Sequence, residues 1–170
     1  MTLNLWRLLF LTEMAKEVKT NVMRLLDAMK IKYGEYTYSP DKALSGAEVA
    51  QTLGQNPEKV FKTLVTTGKT GAHYVFMIPV ECELDLKKAA KAAGEKSIEM
   101  LKSKDLLALT GYIHGGCSPI GMKKYFKTFV HSSAENFDTI IFSGGKIGFQ
   151  VELAPDDLKK AVRISVADIV

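Results

Sequence analysis

The sequence predicts an α+β fold with a largely antiparallel sheet, and three observations predict it. From residue 60 onward, apolar and β-branched runs such as "VFKTLVTT" and "HYVFMIPV" are joined by short turns such as "GKTG", the mark of paired strands. Helical stretches are interspersed irregularly, without the strand–helix alternation of a doubly wound parallel sheet. No internal repeat or low-complexity linker divides the 170 residues, a length that suits one domain of about 100–200 residues.

The elements follow in order. Residues 1–13, "MTLNLWRLLFLTE", are apolar but interrupted by Arg7, lack a small-residue cleavage site, and fall short of the roughly 20 residues a membrane span needs. They read as an extension, with one domain over 14–170 and no membrane segment. Val18, Val22, Leu25, Leu26 and Met29 recur at helical spacing over 15–30. "YGEYTYS" alternates as a short strand up to Pro40. Ser45 and Glu48 form a capping box ahead of "GAEVAQTL", which Gly54 stops. Asn56 and Pro57 start a brief helical turn leading into "VFKTLVTT". Asp85 and Gly94 bracket the helix "LKKAAKAA", and "SKDLLALT" is another. "FKTFVHS", "DTIIFSG" and "FQVEL" are strands, and "APDDLKKAV" is a closing helix with acids in its first turn.

Composition narrows the function. A hydrophobic content of 46% supports one core, and a net charge of +4 suits contact with an RNA backbone without the dense basic stripe of a nucleic-acid coat. The two cysteines, Cys82 and Cys117, make no disulfide framework and point to a reducing, cytoplasmic setting.

The stretch "GYIHGGCSPIGMKK", residues 111–124, has the composition of a phosphate cradle but not its spacing. Gly116 and Gly121 have the right gap, yet Met122 stands where the lysine belongs and no Ser/Thr follows Lys123. "SGGKIG", residues 143–148, misses that motif too. Cys117 near His114 or His131 lacks any local signature of a nucleophile, and a buried thiol is the plainer reading. His73, His114, His131 and the cysteines contain no second close pair to complete a metal set. On "VFKTLV", Lys62 and Leu64 point one way and Phe61, Thr63 and Val65 the other. Lys62 is there either as an edge-strand gatekeeper or as a fixed cation in a pocket.

Four stretches, "NPEKVFKTLV", "PVECELDLKKAAKAAG", "TGYIHGGCSPIGMKK" and "IIFSGGKIGFQVEL", together resemble the YbaK/EbsC family of aminoacyl-tRNA deacylases, which is related to the editing domain of bacterial prolyl-tRNA synthetases. The resemblance implies a mixed sheet curled into a partial barrel with surrounding helices. It implies a trans-editing enzyme that removes cysteine from Cys-tRNA(Pro), and from Cys-tRNA(Cys), with no cofactor and no metal. It implies aminoacyl-tRNA as substrate and a transient complex with prolyl-tRNA synthetase, and no DNA partner. Residue by residue, it makes Lys62 the catalytic lysine. Tyr38, Thr63, Gly115, Gly116, Ser118, Pro119, Ser143, Gly144, Gly145, Lys146 and Gln150 become substrate-binding positions. Gln150, Ile147 and His131 depart from the family, where Asp, Arg and an acid are frequent. The family's mechanism uses the substrate's own thiol as nucleophile. The alternatives are water-mediated deacylation of another small amino acid such as alanine, and a non-catalytic tRNA- or synthetase-binding adaptor.

Overall fold

The computed structural model describes residues 18–170; the expected extension over 1–13 and the first residues of the helix expected over 15–30 lie outside them. That helix is present as α1 (Asn21–Ala28), capped by Thr20 Oγ1 accepting from the Met23 amide, with Val22, Met23 and Leu26 buried. After β1 (Gly34–Thr37), Ser45 and Glu48 bond each other's backbone amides and open α2 (Gly46–Thr52). A 3-10 turn over Pro57–Lys59 delivers β2 (Phe61–Gly68), which pairs antiparallel with β3 (His73–Pro79). The Asp85 carboxylate accepts from the Lys87 and Lys88 amides to start α3 (Leu86–Ala93). The chain continues through β4 (Ile98–Met100), α4 (Ser103–Thr110), β5 (Lys127–His131), β6 (Ile140–Ser143), β7 (Phe149–Leu153), α5 (Pro155–Ala161) and β8 (Ile164–Ala167).

Two sheets result, in the orders β1–β7–β6 and β4–β2–β3–β5–β8. Most pairs are antiparallel, as expected; β3–β5 and β5–β8 are parallel. Both parallel pairs close long connections that include helices, which parallel pairing requires. β4 and β8 were not expected from the sequence. Ile98 alone is buried in β4 and no residue is fully buried in the edge strand β8, so neither carries a legible alternation.

Both sheets and α1 feed one core, with Phe61, Val65, Met77 and Val130 from the larger sheet and Phe142, Val151 and Leu153 from the smaller. The opposite face of the larger sheet buries Phe76, Ile78 and Phe129 against Ala89 and Ala90 of α3. The Phe76 and Phe129 rings stack with centroids 5.2 Å apart.

The sheets meet at an isolated parallel bridge between Val60 and Ile141 and do not close into a barrel. Beside that bridge, Glu152 of β7 receives Lys59 Nζ at 2.7 Å, Thr139 Oγ1 at 2.6 Å and Tyr36 Oη at 2.6 Å. One carboxylate thereby ties β1, β7, the approach to β6 and the start of β2. Burial pushes the Glu152 carboxyl up, but the bonds from Lys59, Thr139 and Tyr36 outweigh it and hold the group below its ordinary value. The stabilisation from its ionisation is therefore present above pH 4.5 and is lost as pH falls through the lowered value of the folded state. Glu152→Gln should destabilise the protein by about 2 kcal/mol at neutral pH. In urea titrations the difference from wild type should shrink as pH drops below about 4, whereas a pH-independent difference would show that the charge contributes nothing.

Candidate functional site

The bridge at Val60 and the short strand β4 leave a gap along one edge of β2. β4 pairs only with Thr66–Gly68, and the Leu101 amide bonds Val65 O at 3.0 Å on that same edge. Backbone groups alternate sides along a strand, so those of Thr63 point to this unpaired edge rather than to β3. A cleft of about 510 Å³ occupies the gap. Phe61–Val65 form one wall, Leu44, Ser45, Gly46 and Val49 with Val80 a second, and Met100, Leu101 and Leu106 a third. Tyr38, Ser143, Phe149 and Gln150 complete the lining together with His114, Gly115 and Cys117.

Of the residues singled out from sequence, the cleft brings together Lys62, Thr63, Tyr38, Gly115, Ser143 and Gln150. Lys62 is half-buried and, among the described residues, has neither an acidic nor a hydrogen-bonding partner. Among the described residues no aspartate or glutamate lines the cleft. Thr63 Oγ1 is buried and has no hydrogen-bond partner among the described residues. Gln150 is buried, and its Oε1 accepts from Gln55 Nε2 at 2.8 Å.

The remaining positions build the cleft without lining it. A β-carbon on Gly116 would lie 3.0 Å from the Ile147 amide nitrogen and 3.3 Å from two Lys146 backbone atoms, so the two glycine turns pack backbone on backbone. The Gly116 amide bonds Ile113 O and is thereby taken by the turn itself. Gly145, at φ 88°, lies under α1, where a β-carbon would meet Val22 Cγ2 at 2.7 Å. Its amide donates to Ser143 Oγ, the Gly144 amide to Phe149 O, and Lys146 Nζ sits 5.9 Å from the centre of the Phe149 ring. Ser118 is fully buried and accepts from the Ile120 amide, while Pro119 lines a neighbouring groove. Tyr112 fastens the loop by donating to Ile120 O.

His131 lies outside the cleft, where its Nδ1 accepts from the Ile169 amide at 3.2 Å. Burial moves its pKa down despite Asp168 nearby, so it braces the C-terminal strand as a neutral ring. Ile147 rests on Gly115 rather than facing the cleft. Sequence reasoning missed the walls built from Leu44 and Val49 and from Met100, Leu101 and Leu106. Their signal was only apolar periodicity, which reads as core. Among the described residues no His, Cys, Asp or Glu side chains cluster as a metal set.

With this geometry in place, the comparisons are specific. A sequence profile described as the aminoacyl-tRNA editing domain matches residues 40–161. This chain belongs to that family. An Enterococcus faecalis protein, EbsC, whose name proposes it as a Cys-tRNA(Pro)/Cys-tRNA(Cys) deacylase, is 48% identical over 152 residues, covering 89% of this chain and 93% of its own. The proline–tRNA ligase of Pelobacter propionicus is 33% identical over 88 residues, 52% of this chain and 15% of the ligase. A crystal structure described as a proposed trans-editing enzyme for prolyl-tRNA synthetase superposes with a TM-score of 0.73 at 23% identity, covering 88% of this chain and 97% of that one. That likeness establishes the shared fold of the editing domain.

Cys117 decides what chemistry the editing domain's cleft can perform with its own groups. Burial pushes its thiol up to about 12, so at neutral pH it stays protonated and a poor nucleophile. In native protein at pH 7.5, iodoacetamide should alkylate the partly exposed Cys82 and spare Cys117 until denaturant is added. Equal labelling of both, measured by mass spectrometry, would show Cys117 to be activated.

Proposed function

We propose that this protein is a trans-editing deacylase that removes cysteine from Cys-tRNA(Pro), and from Cys-tRNA(Cys), by placing the substrate's own thiol against its ester. One observation carries the reading: among the described residues, the cleft presents an unpaired lysine and buried polar groups, yet no carboxylate and no activated thiol. The family membership, and the relative named for this activity, support it.

In the proposed reaction the cysteinyl sulfur attacks the ester carbonyl carbon. A C–S bond forms, the C–O bond to the terminal ribose breaks, and that oxygen takes a proton as tRNA departs. The protein's part is placement, and holding reacting atoms in register supplies about 7–11 kcal/mol of such a barrier. Lys62 holds the terminal ribose and stabilises charge that develops on the ester oxygens. Tyr38, Thr63 and Gln150 fill the amino-acid side of the cleft. The two glycine turns, Gly115 to Pro119 and Ser143 to Lys146, shape the wall against which the terminal adenosine rests. An activity on aminoacyl-tRNA belongs in the cytoplasm, with prolyl-tRNA synthetase as the supplier of the mischarged product.

A second reading has one observation behind it. His114 lines the cleft and is exposed, placed where it can activate water on another small aminoacyl ester. A panel of labelled aminoacyl-tRNAs separates the two. Cys-tRNA(Pro) should be cleaved far faster than Ala-tRNA(Pro) or Ser-tRNA(Pro); comparable rates on Ala-tRNA(Pro) would favour water and His114, and no cleavage would leave a binding adaptor.

In single-turnover assays Lys62→Ala should lower the rate by about 100- to 1,000-fold. Lys62→Arg should not restore it, because a planar fork does not occupy the place of a compact ammonium. Melting temperatures should barely move. A Lys62→Ala protein within a few-fold of wild type would reduce the lysine to an edge-strand charge. The Cys82→Ala, Cys117→Ala double variant should deacylate within a few-fold of wild type, and a loss of several orders of magnitude with the fold intact would restore an enzyme thiol to the mechanism.

A further inference from the structure

The cleft accounts for the glycine stretch only as far as Cys117. Beyond it the chain enters a second groove of about 360 Å³, lined by Pro119, Met122, Lys124, Tyr125, Phe126 and Arg163, among others. Cys117 lines the first cavity and Pro119 the second, so a single short segment separates them.

The charge on this groove is one-sided. No acid occurs between Gly111 and Ala134, and none between Leu158 and Ala167. Its two cations, Lys124 and Arg163, are exposed, and neither is paired with an acid among the described residues; Lys127 reaches the other face of the sheet, over the Phe129 ring. The acids on neighbouring elements are already engaged: Asp157 with Lys160, and Glu135 and Asp156 with Lys159.

An aromatic face lies among these cations. Tyr125 is 58% exposed, which a ring of that size does not adopt for packing. Arg163 lies with its guanidinium carbon 5.9 Å from the Tyr125 ring centre, and Tyr125 Oη donates to Arg163 O at 3.3 Å. Those contacts hold the ring in place and leave the remainder of its surface to solvent. Basic side chains around a fixed, exposed ring suit a single-stranded nucleic acid: phosphates meet the cations and an unpaired base stacks on the ring. An acidic protein surface would satisfy the cations but has no use for an exposed ring flanked by guanidinium.

We propose that the groove of Lys124, Tyr125 and Arg163 holds the acceptor end of tRNA, with its phosphates on Lys124 and Arg163 and an unpaired base on Tyr125. The inference rests on the deacylase reading for its ligand. It adds a second contact region, which explains how a small, weakly basic protein holds a tRNA while the cleft takes only the terminal residue. Binding energy from this remote part of the substrate is available to position the ester.

The test uses the full chain with two uncharged probes, a deacylated tRNA(Pro) transcript and an acceptor-stem minihelix made with and without its unpaired CCA end. Fluorescence anisotropy gives Kd as a function of salt. Lys124→Ala with Arg163→Ala should weaken tRNA binding by about tenfold or more, and lower the slope of log Kd against log salt by about 2. Tyr125→Ala should weaken binding of the CCA-ended minihelix by about fivefold or more, leave the salt slope unchanged, and scarcely affect the blunt form. Lys87→Ala with Lys91→Ala, removing two exposed cations on α3, serves as the charge control and should bind as wild type does. Circular dichroism establishes that each variant is folded.

Groove variants with wild-type Kd and salt slope would overturn the proposal and leave the patch to an acidic protein. An equal loss in the α3 control would also overturn it, by reducing the effect to net charge. Single-turnover deacylation keeps the two readings apart. If groove variants lose binding in a wild-type background that deacylates nothing, the groove stands and the deacylase reading falls. If they bind normally while Cys-tRNA(Pro) is cleaved, the reverse holds.

Discussion

The contact on which the site depends is between two stretches of backbone. Gly116 lies against Lys146 and Ile147 with less room than a β-carbon needs, and Gly145 lies equally close beneath Val22 of α1. This explains why both turns carry paired glycines although neither cradles a phosphate. The glycines allow two chain reversals to stack, and the stack forms part of the cleft's wall. Tyr112, whose ring meets Gly145 and whose hydroxyl bonds Ile120 O, ties the second turn to the loop of the first. A change of one methyl group here moves a wall of the cleft rather than a single contact.

A second constraint comes from the larger architecture. Among the described residues the sheets touch by strand pairing at Val60–Ile141 alone, so β2 passes from β6 to β4 with part of its edge uncovered. An uncovered edge is ordinarily a hazard, since it invites pairing with another chain. Here α2, α4 and the glycine turns surround it, and the edge becomes the floor of a cavity. Lys62 sits on that stretch with its backbone bonded toward β3, so its direction is set by the sheet. Precision of placement matters more in a site with no nucleophile of its own than in one built around a reactive group.

Much of this was legible in the sequence, for reasons that differ from element to element. "LKKAAKAA" and "SKDLLALT" coincide with α3 and α4 because Asp85 caps the start of the first and the left-handed Gly94 and Gly111 end the two. The alternation of Lys62 and Leu64 against Phe61, Thr63 and Val65 follows from the pleat alone, and the two buried clusters on opposite faces of the sheet agree with it. β4 and β8 were hidden because a short strand or an unburied edge has no pattern to read. The parallel pairs were hidden because pairing partner is a property of the connection, not of the strand. In the site, the glycines were legible as a motif but not as a packing device. Which atoms they touch depends on a turn some thirty residues away. The same distance concealed the role of His131, which serves the C-terminal strand instead of the cleft.

The burial of Cys117 carries a consequence for durability. At a pKa of about 12, only on the order of one thiol in 10⁵ is ionised at pH 7. A cleft that receives a cysteinyl ester meets a foreign sulfur at every turnover, and each meeting is an opportunity for a mixed disulfide under oxidising conditions. Disulfide exchange and sulfenic acid formation both start from the thiolate. By keeping its own sulfur protonated, the protein can have a cysteine in the wall of a thiol-handling cavity without becoming trapped on its substrate when the cell is oxidised.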